Sequence, residues 1–410
     1  MPSADLPLHY GRVPTWLASR MAKLGGAIVE SIVLEYGKAE VLRRLSDPLW
    51  FQSFGAVLGM DWHSSGITTS VVGALKRALN SKAHELGIYV CGGRGKHSRN
   101  TPRELYQVGE RTGLDANDLA RSSRLVAKID NTVVQDGYQI YLHAFFLTDE
   151  GDWAVVQQGM NTKSRYARRY HWSSEQLESY VNEPHASVCG QHQGLILNLT
   201  HRKAQATRSG MLEITREHPT RMMEEIAKIR MPARHDVKAK DVNLKRLGSV
   251  LALTQDIEVA NFETLLLLQG VGPRTVQSLA LVSEVIHGTA SRFDDPARYS
   301  FAHGGKDGRP FPVPTKVYDR TIDTLRTAVE RAKIGRTDRQ QALKRLHEQA
   351  RRIEGTFVPN DNFDKLIEEE WASSNLWGGR TTFDSKQTAS RRRSGPANGQ
   401  LTLFPRQLRY

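Results

Sequence analysis

Between Val13 and Ala83 apolar residues recur every three or four positions, in "WLASRMAKLGGAIVESIVLEYG" and again in "TSVVGALKRALNSKAHELG", a spacing that predicts amphipathic helices. A short apolar run, "GIYVCGG", reads as a strand running into the basic loop "GGRGKHSRNTP". Thr101-Pro102 is suited to opening the next helix, and Asp115 is a plausible N-cap for the one after it. From Gln135 to Gln158 two aromatic and β-branched runs, "DGYQIYLHAFFL" and "WAVVQQ", flank "TDEGD", which predicts an antiparallel hairpin. A short apolar run, "GLILNLT", then leads into helices through about Arg230. "MPARHDVKAKD" reads as a linker, and helical spacing resumes from Leu244 to about Ile353.

Beyond Trp377 the pattern stops. "GGRTTFDSKQTASRRRSGPANG" has too little apolar surface to offset the entropy of ordering, so a disordered tail is expected. The expected fold class is α+β. Residues 1–232 form a helix-rich N-terminal domain with a small antiparallel sheet, 240–355 an all-α domain, and 375–410 a basic tail.

Charge narrows the partners. The 57 Lys and Arg against 44 Asp and Glu give a formal charge of +13, which favours polyanions and makes nucleic acid the first expectation. No apolar run approaches the roughly 20 residues needed to span a bilayer and the start lacks an apolar signal segment, so a cytoplasmic, nucleoid-associated protein is expected, with no membrane partner. Cys91 and Cys189 form no metal-knuckle spacing and read as structural thiols.

The sharpest motif is "FETLLLLQGVGPRTVQSLALVSEVIHG", an apolar helix, a Gly270-Val271-Gly272 turn and a second helix opened by Pro273. It resembles the helix-hairpin-helix of DNA-repair proteins. Glycines let a backbone phosphate approach, the second helix's N-terminus favours an anion, and Arg274 and Thr275 can add donors. Such contacts position DNA without reading bases. The alternative is an ordinary turn between two helices. Base-excision glycosylases with this hairpin carry a catalytic Asp where "FPVPTKVYDR" has Pro314, which leaves a base-lesion glycosylase as a lesser alternative.

Candidate chemistry lies upstream. Lys128, Asp130, Asp136 and His143 cluster before and within the predicted hairpin, and its return strand carries Gln158. Strand alternation predicts Gln139, Tyr141 and His143 on one wall. Asp130 and Asp136 suit Mg²⁺ or Mn²⁺, which would polarise a phosphodiester and activate water, with Lys128 and His143 assisting. The alternative is that the two carboxylates bracket a turn and His143 is a satisfied sheet histidine. "LGMDWHSSGITTS" adds Asp61 and His63, either as further catalytic groups or as part of a helix-capping loop. "NTKSRYARRYHW" interleaves Lys163, Arg165, Arg168 and Arg169 with Tyr166, Tyr170 and Trp172, a pattern for single-stranded or distorted DNA; a solvated basic face over core aromatics is the competing reading.

"DPLWFQSFGAVLGMDWHSSGITT", "VQDGYQIYLHAFF" and "WAVVQQGMN" together resemble a prokaryotic family catalogued as domain of unknown function 763, over about residues 4 to 350. The resemblance implies an N-terminal domain joined to a DNA-binding hairpin, with nuclease activity as its implied chemistry, and fixes no catalytic residue. At the far end "QLTLF" is similar to the peptide by which bacterial repair proteins dock on the sliding clamp, with Gln400 as polar anchor and Leu401, Leu403 and Phe404 entering an apolar groove. The expectation is a metal-dependent DNA nuclease of repair or replication tethered to the clamp, with a homodimer as one candidate assembly. The chief alternative is a non-catalytic DNA-binding adaptor.

Overall fold

The computed structural model describes residues 6–7, 13–60, 65–228, 244–257, 259–297 and 315–356, which lie in one compact unit, Met1–Pro359. In chain order its elements are β1 (Leu6–Pro7), α1 (Thr15–Tyr36), α2 (Lys38–Ser46), α3 (Pro48–Val57), α4 (Gly66–Leu79), α5 (Ala83–Leu86), β2 (Ile88–Arg94), α6 (Lys96–Arg99), α7 (Thr101–Thr112) and α8 (Ala116–Lys128). Next come β3 (Gln139–Thr148), β4 (Trp153–Asn161), β5 (Tyr166–Ser173), β6 (Ser187–Cys189), α9 (Gln205–Arg216) and α10 (Pro219–Lys228). The helices α11 (Leu244–Asp256), α12 (Phe262–Leu267), α13 (Pro273–His287), α14 (Thr315–Arg331) and α15 (Arg336–Thr356) complete the series. None of the described helices is long and apolar enough to cross a membrane.

Local chemistry sets several boundaries. Pro48 opens α3 behind the Asp47 carboxylate, which accepts from the Leu49 and Trp50 amides at 2.8 and 2.9 Å. Asp115 caps α8 in the same way. Helix α8 runs on into a wider π turn, Ile129–Val133, and the inserted residue helps carry Asp130 into the interior.

The sheet is small and antiparallel, in the order β1-β5-β4-β3-β2, with β6 pairing to β5. Helices cover both of its faces. Phe145, Leu147, Val155, Tyr170 and Trp172 point into a core shared with α7 to α9 and α11 to α13. Their strand neighbours Ala144, Phe146, Ala154 and Val156 enter a second core with α1 to α4, α14 and α15. Packing therefore does not divide between residues 232 and 240. The helices after the expected linker are shared between the two faces of the sheet, because a sheet with two apolar faces needs cover on both.

The hairpin expected between Gln135 and Gln158 forms, with one irregularity. Register shifts between Ile140 and Leu142, so Ile140 pairs with Gly159 while Leu142 pairs with Gln158. Tyr141 packs with Leu142 against the second core, whereas His143 lies on the face of the first. The expected wall of Gln139, Tyr141 and His143 is thereby split across the sheet, since one extra residue inverts the alternation. "NTKSRYARRYHW" supplies β5, a central strand, and "GLILNLT" makes isolated bridges through Leu197 and Asn198.

Candidate functional site

Two buried polar networks occupy the first face. Asp130 accepts from Gln157 Nε2 at 2.5 Å, Trp172 Nε1 at 3.0 Å and His185 Nε2 at 2.5 Å. Because Gln157 turns its NH₂ toward this carboxylate, its carbonyl oxygen faces His143 Nδ1 at 2.7 Å. Nδ1 must then carry the proton, and Nε2 accepts from Ser123 Oγ at 2.8 Å. Burial pushes the imidazole down to about 4, against the opposing pull of Gln157 and Asp130. Hydroxyl, imidazole and orienting acceptor stand in the order used for nucleophilic catalysis. Ser123, however, is 2% exposed on the inner face of α8, so the chain fastens α8 to the sheet.

The second network centres on Arg168, which is fully buried. Its Nη1 meets Asp136 Oδ2 and Asp295 Oδ1, both at 2.9 Å, and its Nη2 meets Asp295 Oδ2 and Gln191 O, both at 2.6 Å. Asp136 also accepts from Tyr170 Oη at 2.6 Å and the Tyr138 amide at 3.0 Å. One cation between two buried carboxylates leaves the group a net negative charge. Burial holds Asp136 above the usual carboxylate range, while Asp295, also opposed by burial, is brought below it by Arg168 and two backbone amides.

These partners reassign the expected metal pair. Asp130 and Asp136 each receive three protein donors and both are buried, so each carboxylate serves an interior polar network of the fold. No group of three or more His, Cys, Asp or Glu suited to a metal occurs among the described residues. His143 is a satisfied sheet histidine. Arg168 and Arg169 are likewise interior, at 0% exposure each, and Tyr170 and Trp172 are core aromatics, so of that segment's expected DNA-contacting cations Lys163 and Arg165 are the exposed ones.

On the second face Arg169 Nη1 donates to Gln52 Oε1 at 2.8 Å, its Nη2 to Pro48 O at 3.3 Å and its Nε to His171 Nε2 at 2.8 Å. Burial lowers this guanidinium to about 10. Gln158 donates to Ser65 O at 3.0 Å and Tyr141 Oη at 2.7 Å, and its buried Oε1 has no partner among the described residues. Asp61 and His63 lie outside the described residues, as do Pro314 and the peptide Gln400, Leu401, Leu403 and Phe404.

The turn between α12 and α13 is well formed. Asn261 caps α12 through the Thr264 amide at 2.9 Å, Gly270 holds φ +86°, and the N-cap of α13 is Gly272, which has no side chain to cap it. Val271 is buried, and Thr275, also buried, donates its hydroxyl to Gly270 O at 3.2 Å. These two lock the turn from inside, leaving Gly270, Pro273 and Arg274 exposed. Gln135 Nε2 binds Pro273 O at 2.9 Å and Arg121 Nη2 pairs with Glu263 at 2.5 Å, tying both helices to the α8 segment. Between those ties Arg124 and Asn131 are exposed and Lys128 is half-buried.

Sequence reasoning missed Asp295 and the pairing of His185 with Asp130. Neither has a local signal: Asp295 lies 127 residues from Arg168, and His185 lies 55 from Asp130. No curated protein and no solved structure matches the chain. A family model described as "Protein of unknown function (DUF763)" matches residues 2–313, and the chain belongs to that family.

Proposed function

We propose that this is a DNA-binding protein of repair or replication that holds the sugar-phosphate backbone on the α12–α13 turn without reading bases. The observation that carries it is the turn itself: exposed Gly270 and Arg274 at a helix start whose N-cap is Gly272, locked from below by Val271 and Thr275. A phosphate placed there meets backbone N–H groups, the positive end of α13 and the Arg274 guanidinium. The +13 formal charge supplies the long-range attraction. Of the two expectations, the non-catalytic adaptor is favoured, because the carboxylates expected to bind metal are occupied by donors. Clamp docking through Gln400 to Phe404 is the partner proposed for the C-terminal peptide, on sequence alone.

Fluorescence anisotropy with labelled duplexes of two unrelated sequences tests this. Arg274→Glu and Gly270→Ala are each expected to weaken binding about tenfold or more on both duplexes, roughly 1.4 kcal/mol. Unchanged affinity in both variants would refute the assignment. Adding Mg²⁺ or Mn²⁺ to the same mixtures distinguishes the readings, since strand cleavage that EDTA abolishes would restore the nuclease.

A further inference from the structure

At one end of the sheet two basic loops emerge side by side. Strand β2 ends at Arg94, paired with Leu142, and the Gly95 amide donates to Tyr141 O at 2.8 Å, fastening the connection that carries the one-turn helix α6, with Lys96 and Arg99, to the start of β3. Strand β4 ends at Asn161, whose Oδ1 accepts from the Lys163 and Ser164 amides at 3.0 and 3.2 Å, closing the β4–β5 turn that carries Lys163 and Arg165. Arg94, Lys96, Arg99, Lys163 and Arg165 are all exposed, and none has a carboxylate partner among the described residues. The nearby Glu104 is already taken by Lys76 Nζ at 2.6 Å and the Gly92 amide at 2.8 Å.

Two details separate this surface from an ordinary solvated basic face. Arg165 holds φ +60° without being glycine, a left-handed conformation that costs on the order of 1 kcal/mol and that a Gly or Asn would adopt more easily. Arg94 lies 5.8 Å from the centroid of the Tyr141 ring, which holds its guanidinium at the sheet end. The start of β3, which lies between the two loops, is linked to the α12–α13 turn through the π turn after α8. Asn131 Oδ1 accepts from the Ile140 amide at 3.3 Å at this end, and four residues later Gln135 holds Pro273 O at the start of α13.

We infer that this sheet end is a second phosphate-binding surface, and that a DNA duplex gripped by the α12–α13 turn continues across Arg94, Lys96, Arg99, Lys163 and Arg165. The inference rests on the DNA-binding reading above and extends it to the substrate class, double-stranded DNA long enough to reach both surfaces. Strands about 4.8 Å apart put the two loops roughly 10 to 15 Å from each other on a rigid framework. That spacing suits phosphate rows on either side of a groove better than one flexible acidic peptide.

The test is the salt dependence of duplex binding. Each phosphate that is no longer neutralised should flatten the slope of log K against log salt by about 0.9, so removing five cations should flatten it by about 4 to 5. The variant combines Arg94→Gln, Lys96→Ser, Arg99→Ser, Lys163→Ser and Arg165→Gly, all exposed positions, with far-UV circular dichroism and melting temperature checking the fold. A flattened slope with retained folding supports the second surface. An unchanged slope while Arg274→Glu still weakens binding overturns it and leaves the turn's role standing. A flattened slope with Arg274→Glu silent supports the sheet end and sinks the turn instead; no duplex binding by the wild-type chain overturns both.

Discussion

Arg168→Met removes the cation from between Asp136 and Asp295 and leaves both carboxylates buried, at 5% and 1% exposure. Met roughly keeps the aliphatic stem, so the perturbation is chiefly electrostatic. Breaking a buried ion pair from one side costs about 3–5 kcal/mol, and two carboxylates share this guanidinium, so about 4 kcal/mol or more is expected at pH 7. Urea unfolding followed by tryptophan fluorescence reads this directly, since Trp172 is buried in the same core. With slopes of about 1–3 kcal/mol per molar, the midpoint should fall by about 2 M. The pH dependence gives an independent check. Without Arg168 both carboxyls titrate above their unfolded values, so the folded variant takes up protons more readily than its unfolded chain and gains stability as pH falls. The gap to wild type must therefore narrow from pH 7 to pH 4, and Asp136→Asn with Asp295→Asn should recover part of the loss. A destabilisation under about 1 kcal/mol at pH 7, or a gap that widens on acidification, would refute the reasoning.

Three further outcomes follow from the interior. His143 sits at about 4 when folded against 6.5 for the free side chain, so its contribution is present above pH 6.5 and lost as pH falls through 4. That amounts to on the order of 3 kcal/mol, and His143→Gln should flatten the stability curve in that window, checked by melts from pH 4 to 7. Gly92→Ala would place a Cβ well inside van der Waals distance of His143 O and Thr101 Oγ1 at φ +86°, and should cost more than about 3 kcal/mol or abolish soluble expression. Cys91, whose thiol burial pushes up to about 12, and the buried Cys189 should resist a thiol-titrating reagent in the native protein and react in denaturant.

Much of the architecture was legible because it rests on local rules. Helical spacing marked α1 to α4, Asp115 announced the α8 cap, and the two apolar runs around "TDEGD" gave β3 and β4. Strand β5 was hidden because Arg168 and Arg169 lie at buried positions, and a charge on an inward face erases the alternation on which strand reading depends. The residues that neutralise or satisfy them are distant in the chain: Asp295 for one, Gln52 and Pro48 for the other. Asp130 and Asp136 looked like ligands for the same reason. Their composition suits a metal, while the donors that bind them come from β4, β5, the Tyr138 amide and the segment around His185. The one-residue shift at Tyr141 was invisible too, since nothing in "DGYQIYLHAFF" marks where the extra residue falls.

Hydrogen exchange read by mass spectrometry, with and without a saturating DNA duplex, tests the central claim most directly. Slowed exchange in peptides covering residues 268–276 is the expected result, with no matching change in peptides from the buried Asp130 and Arg168 networks. DNA-bound protein in which 268–276 exchange as fast as in the free chain would contradict it.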